Sequence, residues 1–183
     1  MELIARQWLF TLRSVLGSLL VLAFLAPTVV HAGFSFASIE GGQIDLDDWQ
    51  GGPVLVVNTA SLCGFTPQYE DLQDLQDMYG ARGLRVLAVP SNDFAQELAD
   101  ESSVKDFCEV NFGLTLAMTT ITPVTGAQAH PFYAWVKEQT GFEPGWNFNK
   151  ILLDGQGHPV ATWGSGPRPV SAAITDRIES LLP

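Results

Sequence analysis

Apolar positions along this chain fall into runs of two kinds. Val54-Leu-Val-Val57 and Leu84-Arg-Val-Leu-Ala-Val89 are short and rich in β-branched residues, which predicts two buried strands over 54–58 and 84–89. Between them, a stretch from Pro67 repeats Tyr69, Leu72, Leu75 and Met78 at helical spacing, with Gly80 and Gly83 just past its end. A strand, a helix and a strand of these lengths predict a right-handed βαβ unit with parallel strands. Upstream, Phe34-Ser-Phe-Ala-Ser38 and Ile44-Asp-Leu46 alternate around Gly41-Gly42, the pattern of a β-hairpin.

Downstream, Ser103-Val-Lys-Asp106 fits a capping box for a helix through Asn111, with Val104, Phe107 and Cys108 on one face and Gly113 as its stop. Leu114 to Ile121 has room for a short strand, and Thr122 to Ala129 reads as a loop. His130-Pro131 opens another helix, with Phe132, Trp135 and Val136 inward and Gly141 at its end. Ile151-Leu-Leu153 and Val160-Ala-Thr-Trp163 flank the turn Asp154-Gly-Gln-Gly157, a second hairpin. Ile174, Ile178, Leu181 and Leu182 mark a last helix. This order predicts an α/β domain: a central mixed sheet flanked by helices, parallel in its first half and antiparallel in its last hairpin.

The first residues follow another rule. Arg6 and Arg13 precede Val15 to Ala26, which is almost wholly apolar, and Val30-His-Ala32 places small residues where a signal peptidase reads. The pattern is that of a secretory signal peptide over residues 1–32, followed by a single domain over 33–183. The apolar run is short against the ~20 residues of a bilayer span, which ranks an uncleaved membrane anchor second. The expected location is the periplasm.

The full chain has 9 basic and 20 acidic residues and a net charge of −11. Residues 1–32 hold Arg6, Arg13 and Glu2, so the domain alone carries about −12. Such a polyanion repels nucleic acid and anionic lipid, and no P-loop is present. Two cysteines and three histidines at unrelated spacings form no zinc motif and imply no bound cofactor.

Cys63 is the candidate reactive residue. It follows the first core strand and precedes Thr66-Pro67, which read as helix cap and first helical residue. A thiol at that place faces the positive end of a helix and free backbone N–H groups, which favours the thiolate, and Gly64 permits a tight turn. A small buried core cysteine is the alternative. Pro90-Ser-Asn-Asp-Phe94 ends the second parallel strand at the same sheet edge, where open α/β folds place their sites.

Three separated motifs carry a resemblance over nearly the whole domain. Asn58-Thr-Ala-Ser-Leu-Cys-Gly-Phe-Thr66, Val86-Leu-Ala-Val-Pro-Ser-Asn-Asp-Phe94 and Trp146-Asn-Phe-Asn-Lys150 resemble the signature segments of the glutathione peroxidase family, and Ala129-His-Pro-Phe-Tyr133 is similar to a fourth. The resemblance implies a thioredoxin-like three-layer sandwich and reduction of hydrogen peroxide and organic hydroperoxides through a sulfenic acid on Cys63, a defence against oxidative stress. Trp146 and Asn147 would be the neutral hydrogen-bond donors beside the sulfur. The chain departs from the family where Asp93 replaces a glutamine of the catalytic tetrad. An ionised aspartate donates no hydrogen bond, which leaves three roles open: protonated or turned away, a proton relay, or a donor role passed to Asn92 or Gln96. Ser91 replaces a cysteine of many members.

Cys108 stands where many non-selenium members have a resolving cysteine; packing beside Val104 and Phe107 is the other reading. The resemblance also implies an external thiol reductant, a thioredoxin-like protein or glutathione. The short connection from Thr140 to Trp146 resembles that of monomeric members, so a monomer or weak dimer is expected. The competing functions are a thioredoxin-like thiol–disulfide exchanger, which Cys63-Gly-Phe-Thr66 disfavours by lacking a second cysteine, and a non-catalytic redox sensor.

Overall fold

A computed structural model describes residues 33–183, and residues 1–32, where a signal peptide is expected, lie outside the described residues. The hairpin is present as β1 (Ser35–Ala37) and β2 (Gln43–Asp45), paired antiparallel. The elements β3 (Val54–Thr59), α1 (Gln68–Tyr79) and β4 (Arg85–Pro90) follow. Then come α2 (Glu101–Phe112), β5 (Ala117–Met118), α3 (Pro131–Thr140), β6 (Lys150–Leu153), β7 (Pro159–Trp163) and α4 (Ala172–Glu179). The main sheet has the order β5-β4-β3-β6-β7. β3, β4 and β5 run parallel; β6 is antiparallel to β3, and β7 to β6.

β3 is apolar without alternation because both of its faces are covered. Leu55 and Val57 point to a core with Tyr69, Leu72 and Leu75 of α1, Val104 and Cys108 of α2, and Ile174 and Ile178 of α4. Val54 and Val56 point the other way, to Phe132, Tyr133 and Val136 of α3 and Phe36 of the hairpin. The result is three layers.

Four local expectations shift. Met78 is 57% exposed, and Tyr79 takes the inward place; at about 100° per residue Met78 lies opposite Tyr69. α2 begins at Glu101, with Asp100 as its cap: Asp100 Oδ1 accepts from Ser103 N at 2.9 Å, so Ser103 is the receiving position of the cap. α1 begins at Gln68 with no side-chain cap, and Pro67 is the residue before it. Leu181 and Leu182 lie past the end of α4 and pack partly buried against the first core.

This topology gathers three loops at one edge. β3 and β4 are parallel, so 60–67 and 91–98 leave the sheet side by side. β6 opposes β3 with Lys150 opposite Val57, so the turn 146–149 enters at that same edge.

Candidate active site

Cys63 is 8% exposed in the turn between β3 and α1. Its Sγ accepts a hydrogen bond from Phe65 N–H at 3.4 Å, the only one to this sulfur among the described residues. Thr66 serves this turn and not the helix: its Oγ1 accepts from Cys63 N–H at 3.0 Å and donates to Ala60 O at 2.9 Å. That clamp sets the turn, and Gly64 has no role in it. A Cβ at Gly64 would meet open space, and its backbone is outside the left-handed region.

Asn58 at the end of β3 fixes where the second loop sits. Its Nδ2 donates to Trp146 O at 3.0 Å, its Oδ1 accepts from Asn149 N–H at 3.0 Å, and its carbonyl accepts from Phe148 N–H at 2.6 Å. One buried amide side chain, five residues before the cysteine, thus holds the turn with Trp146 and Asn147. The sequence pattern marked Asn58 only as part of a motif. Its burial at a strand end facing a turn shows its role.

Asn147 is fully buried and Trp146 is 42% exposed. Asn147 Nδ2 donates to Gln96 Oε1 at 3.0 Å, and the Gln96 carbonyl accepts from Leu62 N–H at 2.9 Å, beside the cysteine. The Trp146 ring lies 5.4 Å from that of Phe94. The segment after β4 therefore meets both the cysteine turn and the Trp146–Asn147 turn through Gln96. Ala95 takes the left-handed backbone region, with φ +54, on the way.

Asp93 points elsewhere. Its Oδ2 accepts from Val124 N–H at 2.6 Å and Thr125 N–H at 2.9 Å, tying down the loop before α3. Of the roles open to this residue, the geometry is that of a carboxylate turned away from the sulfur. Asn92 Oδ1 accepts from Glu97 N–H at 3.2 Å. Glu97, which motif reading passed over, is buried. Its Oε1 accepts from Ser61 N–H at 3.0 Å and Leu98 N–H at 2.8 Å, and burial raises its carboxyl above the usual range.

Cys108 is 1% exposed on the inward face of α2, and neither cysteine is in a disulfide. Burial pushes its thiol up to about 11, so it is un-ionised at neutral pH. No cluster of three or more metal-ligating side chains occurs among the described residues.

Comparison with known proteins accounts for this arrangement. A family model for glutathione peroxidase matches residues 32–137. A hydroperoxy fatty acid reductase of Synechocystis sp. is 39% identical over 164 residues, covering 82% of this chain and 94% of its own. A glutathione peroxidase-like peroxiredoxin of Chlamydomonas reinhardtii is 40% identical over 155 residues, with the same coverage of 82% and 94%. Among solved structures, Trgpx in apo form superposes with a TM-score of 0.61 at 30% identity, over 82% of this chain and 96% of that one. A thiol:disulfide interchange protein of the thioredoxin family from Chlorobium tepidum reaches 0.60 at 20% identity, over 82% and 92%, a likeness of fold alone. With the model spanning more than half of the sequence and relatives this similar over most of it, the chain belongs to the glutathione peroxidase family.

Proposed function

We propose that Cys63 is the attacking thiol of the hydroperoxide reduction that this family performs, with Trp146, Asn147 and Gln96 as its polar surroundings. Family membership makes the chain a peroxidase, an oxidoreductase with a peroxide as acceptor and a thiol as electron source. The Cys63 thiolate attacks the distal oxygen of ROOH. The O–O bond breaks, Cys63 becomes a sulfenic acid, and the departing alkoxide takes a proton to leave as ROH. The Trp146 indole N–H and the Asn147 amide suit this step because neutral donors stabilise an anion without competing for its proton. The observation that supports the reading best is the Asn147–Gln96 hydrogen bond, because the Gln96 carbonyl also accepts from Leu62 N–H next to the cysteine, whereas the Asp93 carboxylate bonds Val124 and Thr125.

Leu62, 61% exposed, and Trp146 give the site an apolar rim, which suits organic hydroperoxides as well as hydrogen peroxide. The sulfenic acid is reduced through Cys108, which releases water as the disulfide forms, and a thioredoxin-like protein then reopens that disulfide. Cys108 is buried within α2, so this step requires α2 to open. The same reading takes residues 1–32 as a cleaved leader and the periplasm as the place of work, on the strength of their composition.

The test is peroxide consumption by the purified domain with a thioredoxin system. Wild type is expected to turn over, Cys63→Ser to lose all activity, and Cys108→Ser to complete one oxidation and then stop. Equal consumption by Cys63→Ser would end the reading, and undiminished turnover by Cys108→Ser would return Cys108 to packing.

A further inference from the structure

Lys150 is the most deeply buried cation of the described chain, at 0% exposure. It begins β6, directly after the Trp146–Asn149 turn. Its Nζ donates to three neutral oxygens: Gln68 Oε1 at 2.6 Å, Pro167 O at 2.7 Å and Ser165 O at 3.1 Å. Gln68 is the first residue of α1, five past Cys63. Its Nε2 returns a hydrogen bond to Ser165 O at 2.8 Å. Ser165 in turn grips the donor turn, with its Oγ donating to Asn147 O at 2.6 Å and accepting from Asn149 Nδ2 at 3.1 Å. A second tie runs in parallel, as Arg168 pairs through two nitrogens with the buried Asp71 of α1.

We propose that Lys150 is a positioning residue for the peroxide reaction: by drawing the start of α1 and the 165–167 loop onto one ammonium, it fixes the cysteine turn relative to the turn that carries Trp146 and Asn147. This rests on the functional reading above. An ammonium has three N–H donors, and here three acceptors use them all. A neutral amine has two, and loses the charge that strengthens each bond. One acceptor is then released, and the bracket loosens at the side that holds Asn147. Misplacement of reacting groups by about 1 Å costs on the order of 100-fold in rate.

The bracket therefore carries a pH limit. Burial lowers Lys150 to about 8, against the pull of the Asp71 carboxylate. Asp71 of α1, itself paired with Arg168, is the charge that acts on it; Gln68 and the 165–167 carbonyls are neutral, and its strand neighbours Val57 and Trp163 carry no charge. A cation whose folded value is depressed makes the fold no less stable as pH rises through that value, because the folded state already binds fewer protons than the unfolded one. Loss of rate in this range is thus separable from unfolding.

The experiment is the second-order rate constant for oxidation of Cys63 by hydrogen peroxide, followed by tryptophan fluorescence in stopped flow from pH 6 to 10, with urea midpoints at each pH. Wild type is expected to fall in rate near pH 8 while its midpoint holds or rises. Lys150→Arg keeps its charge and should hold its rate to pH 10. Lys150→Met should be about 10-fold or more slower at pH 7 and show no fall near pH 8. If either variant fails to fold, Gln68→Glu supplies the test: a carboxylate on the ammonium should move the alkaline fall upward by about one pH unit or more. A wild-type profile flat to pH 10, an alkaline fall unmoved in Lys150→Arg or Gln68→Glu, or a Lys150→Met rate equal to wild type at pH 7 would overturn the proposal. No peroxide reactivity at Cys63 in wild type would instead overturn the functional reading.

Discussion

Two side chains with similar polarity play opposite parts at the sheet edge. Asn58 is 1% exposed and spends its whole amide on the Trp146–Asn149 turn. Asn58→Ala leaves the buried Asn149 N–H without a partner, at about 1–3 kcal/mol, and removes one of the two side-chain amides that donate to Trp146 O. The expected result is a urea midpoint lowered accordingly and peroxide oxidation of Cys63 slowed about 10-fold or more, because the donor turn loses its anchor. Asp93 is exposed and serves Val124 and Thr125. Asp93→Ala should cost about 1 kcal/mol through those amides and leave the rate of Cys63 oxidation within about twofold; a rate loss like that of Asn58→Ala would return Asp93 to the site. Cys63 was legible in the sequence because a strand, a turn and a helix start are each written in local pattern. The orientation of Asp93 was not, since nothing local says which of two loops a carboxylate turns to. Lys150 was legible only as the last residue of a motif, and its buried role was not, for a related reason: a lone charge in a strand pattern reads as surface, and its burial depends on residues 82 and 15 positions away.

At the scale of elements, α3 and the N-terminal hairpin are joined by one imidazole. His130 stacks on Phe36 with ring centroids 4.0 Å apart. Its Nδ1 accepts from Phe132 N–H at 3.2 Å, capping α3, and its Nε2 lies 3.1 Å from Ser35 O of β1. This pair of contacts selects the neutral ring with the proton on Nε2. Burial lowers the value of His130, against the hydrogen bond to Ser35. The folded value lies below the unfolded one of about 6.5. Stability from this contact is therefore full above about 6.5, declines as pH falls, and is gone below the folded value. Acidification from pH 7.5 to 5 should lower the urea midpoint of wild type more than that of His130→Asn, whose amide caps the helix without titrating; equal losses would remove His130 as the cause. Element types were readable from periodicity throughout. Boundaries moved where two caps compete, as Asp100 and Ser103 do within one turn, or where one face of a helix is judged from too few positions, as at Met78.

Across the whole molecule, the sheet divides two cores, and the central pair β3 and β6 contributes to both. Leu152 on one face and Ile151 on the other are each at most 1% exposed. Leu152→Ala should cost about 2–5 kcal/mol, measured as a shift in urea midpoint. A shift under about 1 kcal/mol would mean that the first core repacks around the gap. The strand order β5-β4-β3-β6-β7 was only half legible. Parallel pairing of β3 with β4 follows from the handedness of a βαβ unit, but nothing in the pattern says that the last hairpin inserts beside β3 and not beside β5.

That insertion gives pairing and chemistry a common fate. Asn58 faces the donor turn only because Val57 stands opposite Lys150. Slippage of β6 along β3 by a single residue would reverse which side chains look up and which look down. Such a compact impostor would turn Asn58 and Lys150 away together and be silent towards peroxide, so turnover reports that these two strands have met in their proper alignment.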